Sequence, residues 1–181
     1  MWKSSHIRLA KYLADKQEFS CLHDHRLGFF LGNILPDCIP SFITRRHRIQ
    51  DTFFILKEEL QKIESSSKVD FYFCLHLGII LHYVADYFTY PHNCLFHGTF
   101  FEHCIWEWKQ QKFLKSLLQK PLGSPNESRD LIKYLLKKHN NYLEEGASIA
   151  TDCRYVVEVC YTFAASAIYF SKVQIPLAAN K

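Results

Sequence analysis

The stretch from Phe71 to His92 reads FYFCLHLGIILHYVADYFTYPH. Its apolar residues predict a helix buried on most of its faces, and this helix carries His82 and Asp86. Because the two residues are four positions apart, their side chains lie on one helix face, a turn from each other. Pro91 lacks the backbone N–H that a helix needs, so we expect the helix to end just before it, with His92 at the exit.

A second pair at the same spacing follows in FEHCIWE, residues 101–107. Zinc favours imidazole and carboxylate ligands, and catalytic zinc sites leave one position open for water. The competing interpretation is that these histidines are hydrogen-bonded core residues. It must also account for Asp86, because a buried carboxylate is costly unless it is paired or bound to metal. Five possible ligands lie within 26 residues: His82, Asp86, His92, His103 and Glu107.

The composition is that of a packed globular protein. The 181 residues are 48% hydrophobic and 15% aromatic, which predicts one domain over residues 1–181 with a substantial core. Helical periodicity is common and strand-like alternation is scarce, so we expect an all-α fold. The net charge of +4 is compatible with a phosphate-bearing substrate or an anionic membrane surface, and it does not decide between them.

The cysteines argue against a disulfide framework. There are 7 of them, an odd number, and no C-x-x-C motif that would indicate a thiolate zinc site. Free thiols fit a reducing cytosol. We find no signal peptide, and the longest apolar patch, Tyr155–Phe170, contains Glu158 and is expected to be a buried helix. A cytoplasmic location is therefore expected.

Helix-forming segments cover most of the chain, separated by short polar connections. We expect Ser4 or Ser5 to cap the first helix, and Ser128 or Asn126 to cap the helix that ends near His139. Pro121–Asn126 is the clearest loop, and Phe19–His25 is a second one. Arg26–Leu35 is a short apolar segment. The expected helices span about His6–Lys16, Gln50–Ser65, the central stretch, Phe100–Leu118, a segment ending near His139, and Ala147–Ser171.

Further candidate ligands lie upstream of the central stretch. His6 falls in the first turn of the first helix, where a capping or surface role is equally compatible. Asp37 follows Pro36 in a fixed turn, which suits a ligand or catalytic carboxylate but also a turn former. The motif His23-Asp24-His25 would bind metal if the chain were extended there.

Three arginines surround His47. Arg45, Arg46 and Arg48 either orient a phosphate beside the site or form a solvated basic loop. His76 lies six residues before His82, more than half a turn away, so we expect a structural role for it. His97 has no assigned role.

The central motif resembles that of the bacterial zinc-dependent phospholipase C family. The similar residues are Leu77 to Asp86, then His92, then His103-x-x-x-Glu107. Upstream, a His in the first helix, Leu31-Gly-Asn-Ile-Leu-Pro-Asp37 and Arg46-His47 follow in the same order. The resemblance covers roughly residues 4–110, and it extends more distantly to fungal single-strand-specific zinc nucleases.

The resemblance implies an all-α domain with two to three zinc ions. Asp37, His47, His82 and Asp86 would hold one ion, and His92, His103 and Glu107 a second. Asp86 would bridge to a third, also bound by His6. Relatives complete that third site with an N-terminal Trp; here Met1 precedes Trp2, so water or the Met1 amino group would take its place.

The implied activity is phosphodiester hydrolysis, with Asp37 as the residue that orients or deprotonates the attacking water. Choline-preferring relatives place aromatic residues where this chain has Cys38 and Thr44, so the head group is open. A glycerophospholipid or related phosphodiester is the expected substrate, with possible peripheral membrane contact and no obligate protein partner. Nucleic acid is the less favoured substrate, because relatives that are nucleases have Asp where this chain has Glu107. A non-catalytic helical metal-binding protein is the third alternative.

Overall fold

The centre of the molecule is helix α5 (Phe71–Tyr87), on which every residue from Leu77 to Tyr87 is buried. The computed structural model describes residues 1–38, 46–120 and 127–173. Within these ranges the chain forms eight α-helices and three 3-10 turns and no β-strand, so the predicted all-α fold is confirmed. The Asp70 side chain accepts a hydrogen bond from Phe73 N at 3.0 Å and fixes where the helix begins.

The expected helices occur in the expected order, and two more form at Ser20–Asp24, where a loop was expected, and at Arg26–Ile34, in the apolar segment. The first helix begins at Lys3, so neither Ser4 nor Ser5 caps it. The seventh begins after Asp130, whose side chain accepts from Lys133 N, so Ser128 is not its cap either. Asn126 and the predicted Pro121–Asn126 loop lie outside the described residues. The helices are α1 (Lys3–Ala14), α2 (Ser20–Asp24), α3 (Arg26–Ile34), α4 (Ile49–Glu64), α6 (Phe100–Leu117), α7 (Leu131–Glu145) and α8 (Ile149–Val173); the 3-10 turns are Gln17–Phe19, Leu35–Asp37 and Tyr90–His92.

Helix α3 crosses α5 at very close range, and glycines make this possible. A Cβ on Gly32 would lie 2.0 Å from the Leu75 carbonyl oxygen and 2.9 Å from Gly78 Cα. A Cβ on Gly78 would lie 2.5 Å from the Phe29 carbonyl oxygen. Only residues without a Cβ allow the backbones to approach this closely. The crossing brings the end of α3, and with it the Leu35–Asp37 turn, next to the buried face of α5.

Helices α1, α4 and α8 cover the other sides of α5, and α6 and α7 pack against α8. Their apolar faces join in one hydrophobic core that includes Leu13, Leu56 and Phe163. Burial of this core is the main favourable contribution to folding. No helix in the described ranges combines the length and hydropathy that a membrane span requires.

Candidate metal centre

Asp86 lies at the centre of the site. It is fully buried on α5, and its carboxylate is contacted by groups from five other positions along the chain. Asp86 Oδ2 lies 2.9 Å from His47 Nδ1 and 3.3 Å from His82 Nε2. Asp86 Oδ1 lies 2.6 Å from the Met1 amino nitrogen and 3.3 Å from His6 Nε2. His92 Nδ1 lies 3.9 Å from Oδ2, so an apolar helix holds a carboxylate that five nitrogen groups surround.

A backbone carbonyl sets the orientation of His82. Its Nδ1 lies 2.8 Å from the Asn33 carbonyl oxygen at the end of α3. Because a carbonyl only accepts hydrogen bonds, Nδ1 carries the proton, and the Nε2 lone pair faces the cluster. Sequence reasoning missed Asn33, and no side-chain motif could have revealed it, since the contact uses its backbone.

The exit from α5 directs His92 back toward Asp86. The helix ends at Tyr87, four residues before Pro91, and the Asn93 side-chain amide donates to the carbonyls of residues 87 and 89 at 3.2 and 3.0 Å. The buried Asp152 on α8 accepts a hydrogen bond from Tyr90 N at 2.9 Å. These contacts fix the turn that carries His92.

Helix α6 supplies the second i, i+4 pair. His103 Nε2 lies 3.0 Å from Glu107 Oε1, and His92 Nε2 lies 3.1 Å from the same oxygen. The start of α6 is fixed by a capping box, in which the Thr99 side chain accepts from Glu102 N and the Glu102 side chain accepts from Thr99 N. The register of the pair is therefore set one turn before His103.

Asp37 and His6, from earlier in the chain, are the last two of the eight candidate ligands. Asp37 Oδ1 lies 3.7 Å from His82 Nε2 and 3.8 Å from His47 Nδ1. The His6 ring stacks on the His82 ring with centroids 3.9 Å apart, and neither of its buried ring nitrogens makes a hydrogen bond of good geometry, although Nε2 lies 3.3 Å from Asp86 Oδ1. Buried polar atoms without a partner are rare in proteins, so protein contacts alone do not account for His6.

The residues fit zinc in type and spacing. A tetrahedral site with zinc–ligand bonds of about 2.0–2.1 Å places its ligand atoms about 3.3 Å from one another. Here the ligand atoms of each group all lie within 4.8 Å of one another. All eight predicted ligand positions are included. The groups are His6–His82–Asp86, Asp37–His47–His82, His47–Asp86–His92 and His92–His103–Glu107.

Comparison with protein families identifies the chain. A family model described as zinc dependent phospholipase C matches residues 5–155. The chain belongs to this family. Comparison with curated proteins and with solved structures found no match. Membership confirms the resemblance that the histidine and aspartate motif indicated, and it makes the protein an enzyme of the zinc-dependent phospholipase C type.

The ionisable groups of this phospholipase C centre shift one another's pKa values. Burial alone would raise the pKa of the Asp86 carboxyl, yet the Met1 amino group and the surrounding histidines hold that pKa well below its usual range. Burial also opposes ionisation of Glu107, but the Met1 amino group, His103 and His92 lower its pKa. Burial lowers the pKa of His6 to about 4, so this imidazole is neutral near pH 7 and keeps a lone pair to offer.

A cavity of about 820 Å³ opens onto the clusters. This volume is in the range of small-molecule sites. Two arginines of the basic patch predicted around His47, Arg46 and Arg48, line this cavity. The third, Arg45, is outside the described residues. Lys3 adds a third cation that sequence reasoning missed. The cluster residues on its wall are Asp37, His47, His92, His103 and Glu107, and the aromatic residues are Trp2, Phe96 and Phe100.

The other candidate residues lie outside the four groups. His23 belongs to the short helix α2, so the extended chain that a His-x-His metal site requires is not formed. His76 pairs with Glu59, with Nδ1 2.6 Å from Oε2, in the structural role predicted for it. His97 lines the cavity, and Thr44 is outside the described residues.

Proposed function

We propose that the protein hydrolyses a phospholipid phosphodiester at this centre with two to three zinc ions bound. The observation that carries the proposal is that eight imidazole and carboxylate side chains from separate segments form adjoining groups, and five of the eight lie on the wall of one cavity. In the proposed arrangement Asp37, His47, His82 and Asp86 hold the first ion, His92, His103 and Glu107 hold the second, and Asp86 with His6 holds the third.

The position of the Met1 amino group, beside Asp86, supports the proposed third ion. Its nitrogen lies 2.6 Å from Asp86 Oδ1 and 2.8 Å from Glu107 Oε1. The same nitrogen lies 3.0 Å from His92 Nε2. An amine at this point would supply the nitrogen that relatives take from an N-terminal Trp.

Zinc in such a site supplies Lewis acidity toward phosphate oxygens and lowers the pKa of a bound water. Asp37 is the proposed catalytic base, because its carboxylate is part of a cluster and also faces the cavity. It would take a proton as the water oxygen bonds to phosphorus. The bond between phosphorus and the glycerol oxygen breaks, that oxygen takes up the proton that Asp37 received, and it leaves as diacylglycerol while the head group keeps the phosphate.

The charge of the cavity favours an anionic head group. Lys3, Arg46 and Arg48 line it, and no salt bridge occupies these three side chains among the described residues. Position 38, where choline-preferring relatives have an aromatic residue, is an exposed Cys38. Guanidinium groups bind phosphate and carboxylate oxygens well and have no attraction for a quaternary ammonium.

Two further expectations belong to this proposal. We propose that residues 1–181 act as one domain, supported by the shared core of α1 to α8. We also propose a cytoplasmic site of action, supported by the seven free cysteines.

The test is hydrolysis by the zinc-loaded protein of phosphatidylglycerol, phosphatidylcholine and single-stranded DNA, each with and without chelator. We expect diacylglycerol release from phosphatidylglycerol to be faster than from phosphatidylcholine, to stop with chelator, and to fall sharply in Asp37→Asn. Faster cleavage of DNA would make the protein a nuclease. A protein that binds zinc and cleaves none of these would be a non-catalytic metal-binding protein.

A further inference from the structure

The start of α6 exposes large apolar side chains side by side. Phe100 is 83% exposed and Phe101 is 72% exposed, and Leu95 in the preceding loop is 50% exposed. Single exposed apolar residues are ordinary on protein surfaces, whereas neighbouring ones indicate an interaction site. The capping box at Thr99 fixes the start of the helix that carries both phenylalanines.

The exposed face continues along the helix as an aromatic and cationic surface. Trp108 is 45% exposed, seven residues after Phe101 and therefore on the same face. The ammonium of Lys112 lies 3.5 Å from the Trp108 ring centroid. We call the exposed residues Leu95, Phe101, Trp108, Lys109, Lys112 and Lys115 the α6 surface.

The charged side chains of the α6 surface are all positive. No salt bridge among the described residues occupies Lys109, Lys112 or Lys115. Of the two acidic residues on α6, Glu102 is held in the capping box and Glu107 is buried in the metal centre. Aromatic side chains flanked by lysines are the composition of helices that lie in the interface of anionic membranes.

The α6 surface adjoins the cavity. Phe100 lines the cavity wall next to the exposed Phe101, and its ring centroid lies 6.4 Å from that of His103. A bilayer that touches the start of α6 therefore meets the mouth of the site. Lys3, Arg46 and Arg48 on the cavity wall extend the positive charge to that mouth.

We propose that the α6 surface docks the enzyme on an anionic lipid surface, with Leu95 and Phe101 entering the interfacial layer and the lysines facing lipid phosphates. The inference rests on the proposed phospholipid hydrolysis, because docking here delivers lipid to the cavity. Burial of each of the two apolar side chains contributes about 10-fold or more to membrane affinity.

Vesicle flotation of the zinc-loaded full chain tests the proposal. The vesicles contain phosphatidic acid and galactosyl diacylglycerol, which lack the phosphodiester that the site would cut. The test variants are Leu95→Ser/Phe101→Ser and a triple Lys→Gln change at 109, 112 and 115. The matched control is Leu27→Ser/Tyr72→Ser, since these side chains are 65% and 67% exposed and do not line the cavity.

We expect the wild type and the control to bind equally and the double variant to bind at least about 50-fold more weakly. The triple variant should lose most of its preference for vesicles with phosphatidic acid over vesicles of the neutral lipid alone. Cleavage of a water-soluble phosphodiester, bis(4-nitrophenyl) phosphate, should be the same in all four proteins.

Equal binding by the wild type and the double variant would overturn the proposal, as would absence of vesicle binding by a wild type that cleaves the soluble substrate. A wild-type dimer that Leu95→Ser/Phe101→Ser converts to monomer would also overturn it, because the occupant would then be a second copy. Absence of soluble phosphodiester cleavage by the zinc-loaded protein would instead count against the proposed function.

Discussion

At the scale of single residues, Asp86 connects the parts of the centre. It contacts His6, His47 and His82, and it is the one carboxylate that belongs to two of the four candidate ligand groups among the described residues. A carboxylate can bridge two ions because each of its oxygens accepts a separate bond. Loss of Asp86 should therefore disturb more than one ion, whereas His47 contributes a single imidazole.

Asp86→Asn is expected to lose more metal and more activity than His47→Ala. We expect Asp86→Asn to lower kcat/KM by more than the roughly 10- to 100-fold typical of losing a supporting group around a metal. Elemental mass spectrometry and kinetics on both variants measure the two effects. Equal activity loss, with a full metal complement in both proteins, would contradict the bridging assignment.

His139 gives the protein an acid sensitivity that does not involve its metal ligands. The ring lies on α7, buried against Phe88 and Tyr142, and its Nε2 donates to Asn93 Oδ1 at 3.1 Å. Burial lowers the pKa of His139 to about 4, against 6.5 when it is exposed. Between these values the unfolded chain binds a proton that the folded chain does not, so stability falls as pH falls from 6.5 toward 4.

The variant His139→Gln should lack this dependence. The free energy of unfolding of the wild type should fall relative to the variant by about 3 kcal/mol between pH 7 and pH 4. Urea unfolding of both proteins across this range measures the difference, and loss of zinc in acid affects both alike. A difference that stays constant with pH would show that His139 is not kept neutral in the fold.

At the scale of elements, the crossing of α3 and α5 positions ligands from two segments. The Asn33 carbonyl at the end of α3 orients His82, and the following turn carries Asp37. Both depend on how closely the two helices approach at Gly32 and Gly78. A change in that distance would move Asp37 relative to the ligands of α5.

Gly32→Ala is expected to destabilise the protein by about 3 kcal/mol or more. The new Cβ would meet the Leu75 carbonyl oxygen at 2.0 Å, which only separation of the helices can relieve. Thermal and urea unfolding measure the loss. Ser116→Ala, at an exposed position inside α6, is the control and should change stability by less than about 0.5 kcal/mol. An equally small effect of Gly32→Ala would mean that the crossing of α3 and α5 can accommodate a Cβ at this position.

The sequence predicted the helices and the grouping of the candidate ligands better than the contacts that hold them in place. Periodicity marked the helices, and the i, i+4 pairs identified His82 with Asp86 and His103 with Glu107, because side chains on one helix are neighbours by geometry. Tertiary contacts carry no such local pattern. The bond from Asp152 to Tyr90 N joins residues 62 positions apart, so no local pattern could show what fixes the turn at His92.

Local rules also failed where two signals competed. Ser4 and Ser5 are good capping residues, but α1 begins earlier, at Lys3. His23-Asp24-His25 was expected in a loop, yet α2 covers its first two residues. The polar residues thus predicted a loop where the structure has a short helix.

At the scale of the whole molecule, the ligand groups join distant parts of the chain. They draw on α1, the Leu35–Asp37 turn, the segment before α4, α5, the Tyr90–His92 turn and α6. Bound ions would therefore connect residue 6 to residue 107. Without them, His6 keeps two buried nitrogens that lack a hydrogen bond.

Removal of zinc should lower the stability of the entire fold. Ions that bind only the folded chain stabilise it by about 4 kcal/mol when free zinc is 1,000 times the dissociation constant. We expect chelation to lower the Tm, zinc to restore it in a concentration-dependent way, and magnesium to fail, because magnesium prefers oxygen ligands. The same Tm before and after verified metal removal would show that the centre does not connect the helices.

The connection between the Tyr90–His92 turn and α6 has both of its ends fixed. Asn93 is held by its hydrogen bonds to the backbone at the end of α5, and Thr99 by the capping box. The five residues between them include Phe96, His97 and Gly98, which face the cavity and do not belong to the ligand groups. Another sequence could therefore be placed between these fixed ends, which would change part of the cavity wall without removing any of the eight candidate ligands.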